Sequence, residues 1–128
     1  LIRIISAIKY CVLLLHHRYS IIIIIPTMFD LKKLKNKVAV ITGSASGLGL
    51  NLAIECQKLN MHIVLTDIRE DVLNDAVKQV QALNSNTKVV GFVCDVTSGN
   101  SVRNLLASVQ NAFPSNPIGF VGANAGVM

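Results

Sequence analysis

The sequence predicts an α/β chain: a doubly wound parallel sheet, incomplete, with strands in the spatial order 3-2-1-4, preceded by an apolar N-terminal segment. Three observations carry this. Short apolar runs alternate with segments of helical periodicity, which is the βαβ pattern of parallel strands joined by right-handed crossovers. The first run, Val38-Ala39-Val40-Ile41, enters a glycine-rich turn, Thr42-Gly43-Ser44-Ala45-Ser46-Gly47-Leu48-Gly49, and then a helical pattern. Residues able to hold a ligand fall at the carboxyl ends of the runs, where ligands of open α/β sheets bind.

The first strand is expected over Val38 to Thr42. Gly43 permits the tight turn out of it, Gly47 permits close approach of the backbone to a pyrophosphate, and Gly49 permits close packing of the new helix. Amides at the helix start, near Leu48 and Gly49, are placed to stabilise phosphate charge. Leu48, Leu52, Cys56 and Leu59 recur at helical spacing, and Asn60 suits a C-cap. The next run, His62 to Thr66, is continuously apolar, as a strand covered on both faces should be. Asp67 ends that run about 20 residues beyond the glycine loop. There a carboxylate accepts hydrogen bonds from ribose hydroxyls and repels a 2′-phosphate; the alternative is a helix-capping or surface-turn acid. Arg69, two residues on, is within reach of a phosphate.

An amphipathic helix is predicted over Glu70 to Asn84, with Val72, Leu73, Ala76, Val77, Val80 and Leu83 on one face. Turn residues then lead to a third strand, Val89 to Val93, and to Cys94-Asp95-Val96-Thr97. A helix beginning at Thr97 or Ser98 carries Val102, Leu105, Leu106, Val109 and Phe113, and Pro114 to Pro117 end it. The fourth strand, Ile118 to Gly122, contains two glycines and leads into Ala123-Asn124-Ala125-Gly126.

Thr-Gly-x-x-x-Gly-x-Gly, with three residues between the first two glycines, resembles the cofactor loop of classical short-chain dehydrogenases/reductases. Ala123-Asn124-Ala125-Gly126 is similar to that family's Asn-Asn-Ala-Gly, with Ala123 in place of the first Asn. The resemblance covers residues 34 to 128. It implies a Rossmann-type domain and oxidoreductase activity, hydride passing between a nicotinamide and a secondary alcohol or carbonyl. It also implies that Gly43, Ser44, Ser46, Gly47, Leu48, Gly49 and Asp67 bind the cofactor, with Asn124, Ala125 and Gly126 under its ribose. Asp95 and Val96 take the adenine-contacting role of the Asp-Val pair after the third strand; a helix-capping role is the alternative for Asp95. Asp67, and the uncharged Ser46 before the middle glycine, favour NAD over NADP. The family's catalytic Ser, Tyr and Lys would all lie beyond the fourth strand. Neither Tyr10 nor Tyr19 has a Lys four residues on, so no catalytic residue is assigned within the chain.

Composition agrees. Apolar residues make up 52% of the 128, with a mean hydropathy of +0.53, and the excess lies in residues 1–27. The first forty residues carry seven Lys/Arg against Asp30 alone, while the rest carry five against six acids. The overall charge of +5 therefore describes the N-terminal end, and with 5% aromatics no nucleic-acid surface is expected. Residues 1–27 are broken by Arg3, Lys9 and Arg18, too often for a conventional membrane span. They read as upstream sequence before Met28, or as an anchor or targeting segment, with 28–128 the N-terminal part of the domain. Cys11, Cys56 and Cys94 have no metal-type spacing and read as reduced thiols. The expectation is a cytoplasmic protein, or a membrane-associated or organellar one if 1–27 is genuine. Its partners are a nicotinamide dinucleotide and a small alcohol or carbonyl, and the full-length form is a homo-oligomer. The alternative function is a nucleotide-binding fragment without chemistry.

Overall fold

The computed structural model describes residues 30–126. The apolar segment 1–27, with Cys11, Tyr10 and Tyr19, lies outside the described residues, as do Val127 and Met128.

After a 3-10 turn, Leu31–Leu34, the order is β1 (Val38–Thr42), α1 (Gly47–Lys58), β2 (His62–Asp67), α2 (Glu70–Gln81), β3 (Val89–Val93), α3 (Gly99–Ala112) and β4 (Ile118–Gly122). The sheet is parallel throughout, in the order β3-β2-β1-β4. Alternation along each strand builds two cores. Ala39 and Ile41 of β1, with Ile63 and Leu65 of β2, pack against α1 and α2. Val38, Val40 and Val64 point the other way, against Leu105 and Val109 of α3. Both faces are covered, which is why the runs read as continuously apolar. Among the described residues, no helix is long and apolar enough to cross a membrane.

The four strands match their predicted ranges, except that Asp67 is itself the last residue of β2. The helices differ more. Not every apolar residue at helical spacing is buried. Leu48 does not join the buried face of α1; its side chain is 43% exposed, because the first turn of α1 projects past the carboxyl edge of the strands. Gln57, polar yet buried, donates to Thr87 Oγ1 at 3.0 Å. The α2 helix stops at Gln81 rather than Asn84, so Leu83 falls in the turn and is 59% exposed. Gln81 accepts from Val89 N and donates to Thr87 O, closing that turn onto β3. On α3, Leu105 and Val109 are buried but Val102 and Leu106 face outward. Asn60 takes a positive φ of 58° after the end of α1, as its predicted cap role requires. The two glycines of β4 do not break the strand. The β1–β4 register shifts between Val38 and Ala39, and a Cβ on Gly119 would meet the Lys37 side chain at 2.8 Å.

Candidate coenzyme crevice

A crevice of about 420 Å³ opens at the carboxyl ends of the strands. Its walls are Gly43, then Asp67 to Arg69, then Cys94 to Val96, then Asn124 to Gly126. Seven of the residues singled out in the sequence therefore share one wall system: Gly43, Asp67, Asp95, Val96, Asn124, Ala125 and Gly126. Ser46, Gly47, Leu48 and Gly49 form the adjoining turn and the start of α1.

The turn depends on its glycines. Gly43 and Gly47 have φ of 62° and 60°, a left-handed conformation that L side chains rarely adopt. A Cβ on Gly43 would also lie 2.8 Å from Ala125 Cα. Gly49 is a matter of space. A Cβ there would meet Gly43 O and Asn124 Nδ2 and sit 2.9 Å from Ser44 Cα, so only glycine lets α1 start this close to the β1 and β4 ends. Nothing lies within 4 Å of the Cβ position of Gly47, which leaves open space above the turn.

Ser44 faces inward. It is fully buried, donating to Ile41 O at 2.8 Å and accepting from Thr66 N at 2.9 Å. Its hydroxyl ties the turn to β1 and β2 and is directed away from the crevice. Ser46 occupies the N-cap position of α1 but makes no side-chain cap; its hydroxyl instead accepts from Arg69 Nη2 at 3.1 Å. Among the described residues nothing accepts from the amides of Gly47, Leu48 or Gly49. Three open donors at a helix N-terminus form a site for negative charge.

Asp67 is nearly buried and surrounded by donors. Its Oδ1 accepts from Arg69 N and Arg69 Nε, both at 3.1 Å, and its Oδ2 accepts from Ala45 N and Arg69 Nη2, both at 3.3 Å. Burial pushes the carboxyl up, but the hydrogen bonds from Arg69 and Ala45 and the guanidinium charge outweigh it and hold Asp67 below its ordinary value. Asp67 is thus ionised at neutral pH. Asp95 is held low by the hydroxyl and amide of Thr97, both bonded to its Oδ1. The cap of α3 is Ser98, which accepts from Ser101 N, so Asp95 does not cap that helix.

Asn124 bridges the β1 and β4 ends: its Nδ2 donates to Thr42 O at 3.3 Å and Gly43 O at 3.1 Å. Thr42, which sequence reasoning passed over, is the hub here, its Oγ1 accepting from the amides of Asn124 and Ala125. A hydroxyl one residue before the first glycine was the available signal. Ile68 was also missed. Cys94, read as a reduced thiol, is buried and lines the crevice as well. Among the described residues no group of His, Cys, Asp and Glu is placed to hold a metal.

The family model described as short chain dehydrogenase matches residues 37–128. The chain belongs to the short-chain dehydrogenase family. An NAD-dependent glycerol dehydrogenase of Listeria innocua is 32% identical over 92 residues, which is 72% of this chain and 34% of that protein. Among solved structures, L-sorbose reductase from Gluconobacter frateurii, complexed with NADPH and L-sorbose, superposes with a TM-score of 0.66 at 34% identity, covering 73% of this chain and 35% of that one. A short-chain dehydrogenase/reductase from Burkholderia phymatum in complex with NAD gives 0.60 at 35% identity, covering 65% and 29%. The chain spans about a third of the length of these curated and solved short-chain dehydrogenases. The family is one of oxidoreductases, and its Rossmann-type sheet is the one described above.

Proposed function

We propose that residues 28–128 form the coenzyme-binding part of an oxidoreductase that moves hydride between a nicotinamide dinucleotide and a secondary alcohol or carbonyl. The observation that carries this reading is the convergence, at one sheet edge, of an open helix N-terminus, an ionised carboxylate at the end of β2 and the β4 loop. The donor set fits such a cofactor. Amides of Gly47, Leu48 and Gly49 would take the pyrophosphate, Asp67 the adenosine ribose, Asp95 and Val96 the adenine, and Asn124 to Gly126 the second ribose. When bound, the nicotinamide supplies the hydride-transferring carbon. The chain's own residues bind and orient it, with Asn124 and Thr42 holding the loop on which it would rest.

NAD is the preferred form in this reading, because the Asp67 carboxylate repels a 2′-phosphate. Proton transfer to the substrate belongs to a Ser-Tyr-Lys set of the family type, to which no residue of this chain is assigned. Buried, free Cys56 and Cys94 support a reducing compartment such as the cytoplasm, and burial pushes the Cys56 thiol up to about 12, so it is inert. Exposed Val102 and Leu106 on α3 support a homo-oligomeric full-length protein.

Titration of the 128-residue chain with NADH, followed by nicotinamide fluorescence, tests the reading. Saturable binding is expected, weakened about tenfold or more by Asp67→Ala, which removes charge-assisted hydrogen bonds to ribose. Absence of saturable binding, or indifference to Asp67→Ala, would contradict it.

A further inference from the structure

The charges of the domain are sorted by end. Asp67 closes β2, Glu70 and Asp71 open α2, and Asp95 follows β3, so four of the seven acids stand at the crevice end of the sheet. Six lysines stand at the other end: Lys32, Lys33, Lys35 and Lys37 lead into β1, Lys58 ends α1, and Lys88 directly precedes β3. The acids near them are already engaged. Glu55 is bonded to Lys58 Nζ at 2.6 Å, and the Asp30 carboxylate accepts from the Lys32 amide. Lys32, Lys33, Lys35 and Lys37 form no ion pair among the described residues. The 3-10 turn sets their direction. With three residues per turn, positions i and i+3 share one side. Leu31 and Leu34 take that side and pack into the core shared with α1 and α2, while Lys32, Lys33 and Lys35 are left exposed. The Lys37 amide donates to Leu34 O, and the Asn116 side chain donates to Asn36 O, tying the turn to the starts of β1 and β4. The chain enters this turn from residues 1–29, which hold Arg3, Lys9 and Arg18, no acid, and the apolar runs Val12 to Leu15 and Ile21 to Ile25.

We propose that this basic end of the domain is a docking surface for an anionic lipid bilayer, with Lys32, Lys33 and Lys35 as its main contacts. The lysines supply the attraction to anionic headgroups. The acid-free apolar segment joined to them at Asp30 supplies a second signal, and stable attachment takes two because one alone gives marginal, reversible binding. The crevice lies at the opposite ends of the strands, so a chain attached in this way keeps it open to water. The acids around the crevice are then also held away from a surface of their own sign. Nucleic acid shares the phosphate chemistry but has no use for the apolar runs, which favours the bilayer. The proposal does not depend on the nucleotide reading above.

The test is co-sedimentation of the 128-residue chain with phosphatidylcholine vesicles, with and without phosphatidylserine. Binding is expected to be tighter by about tenfold or more when phosphatidylserine is present, and to fall as salt rises. Lys32→Gln, Lys33→Gln and Lys35→Gln combined should weaken binding to the anionic vesicles by about a hundredfold, at about fivefold per lysine. The three single variants, each losing about fivefold, guard against a folding effect of the triple substitution. Arg103→Gln removes a cation near the start of α3, at the crevice end, and should change binding by less than about twofold. The proposal is overturned if phosphatidylserine makes no difference, if the triple variant binds like the wild type, or if Arg103→Gln costs as much as a lysine. It is overturned as well if the chain binds a duplex oligonucleotide more tightly than the anionic vesicles, which would make nucleic acid the partner of the basic end.

Discussion

The hydroxyl of Ser44 holds the glycine turn in place from beneath. It accepts from Thr66 N, and it returns its own proton to Ile41 O. Ser44→Ala would remove both hydrogen bonds from a fully buried site, at a cost of about 1–3 kcal/mol. Urea denaturation of the chain should show that loss as a lower midpoint with unchanged slope; an unchanged midpoint would mean that the turn is held by its other contacts. Ser44 also marks a limit of reading residues in a line. The motif marks it as part of a binding loop, but which way its side chain points depends on β2 passing alongside, a contact between residues 22 apart. Asp67 was legible because the end of an apolar run and its distance from the glycines place a carboxylate at the crevice. Its Arg69 partner was visible only as proximity; the bidentate geometry comes from the turn at Ile68.

Among elements, the strands were legible to within one residue and the helices were not. An apolar run with polar neighbours has sharp ends, whereas helical periodicity continues past the point where there is a sheet left to cover. Leu48 in the first turn of α1 and Leu83 past the end of α2 are exposed for that reason, whereas Val102 and Leu106 form an exposed i, i+4 row beside the buried Leu105 and Val109 of α3. The opposite error is Gln57, polar by type but buried through its hydrogen bond to Thr87. The decisive contact for the site is the approach of α1 to the sheet. At Gly49 a Cβ would be driven into the Gly43 carbonyl and the Asn124 amide, neither of which is the free end of a flexible chain. Gly49→Ala should therefore destabilise the chain by about 1–3 kcal/mol through overpacking and weaken NADH binding together with it, because the Asn124 bridge and the open amides move as one unit. Thermal unfolding and the same fluorescence titration check this. A stable variant with full affinity would show that α1 docks less tightly than described.

Taken as a whole, the molecule places every candidate residue by one rule of topology. With the order β3-β2-β1-β4, the chain reverses its direction across the sheet between β1 and β4. The glycine turn, Asp67, Asp95 and Asn124 each follow or end a strand, so they meet at a single edge although 81 residues separate Gly43 from Asn124. That convergence was readable from the alternation of strands and helices. The crevice's inner wiring, Thr42 to Asn124 and Ala125, was not, because it links the ends of elements that only the folded sheet brings together. A second hollow of about 470 Å³, between the end of α3 and the start of β4, lies at the opposite ends of the strands and serves as an internal control. The decisive measurement is a two-dimensional ¹H–¹⁵N spectrum of the chain titrated with NAD. Shifts concentrated at Gly43, Gly47 to Gly49, Asp67, Asp95, Val96 and Asn124 to Gly126 are predicted. Shifts centred instead on Phe113 and Asn116, or no shifts at millimolar NAD, would contradict the assignment of the crevice.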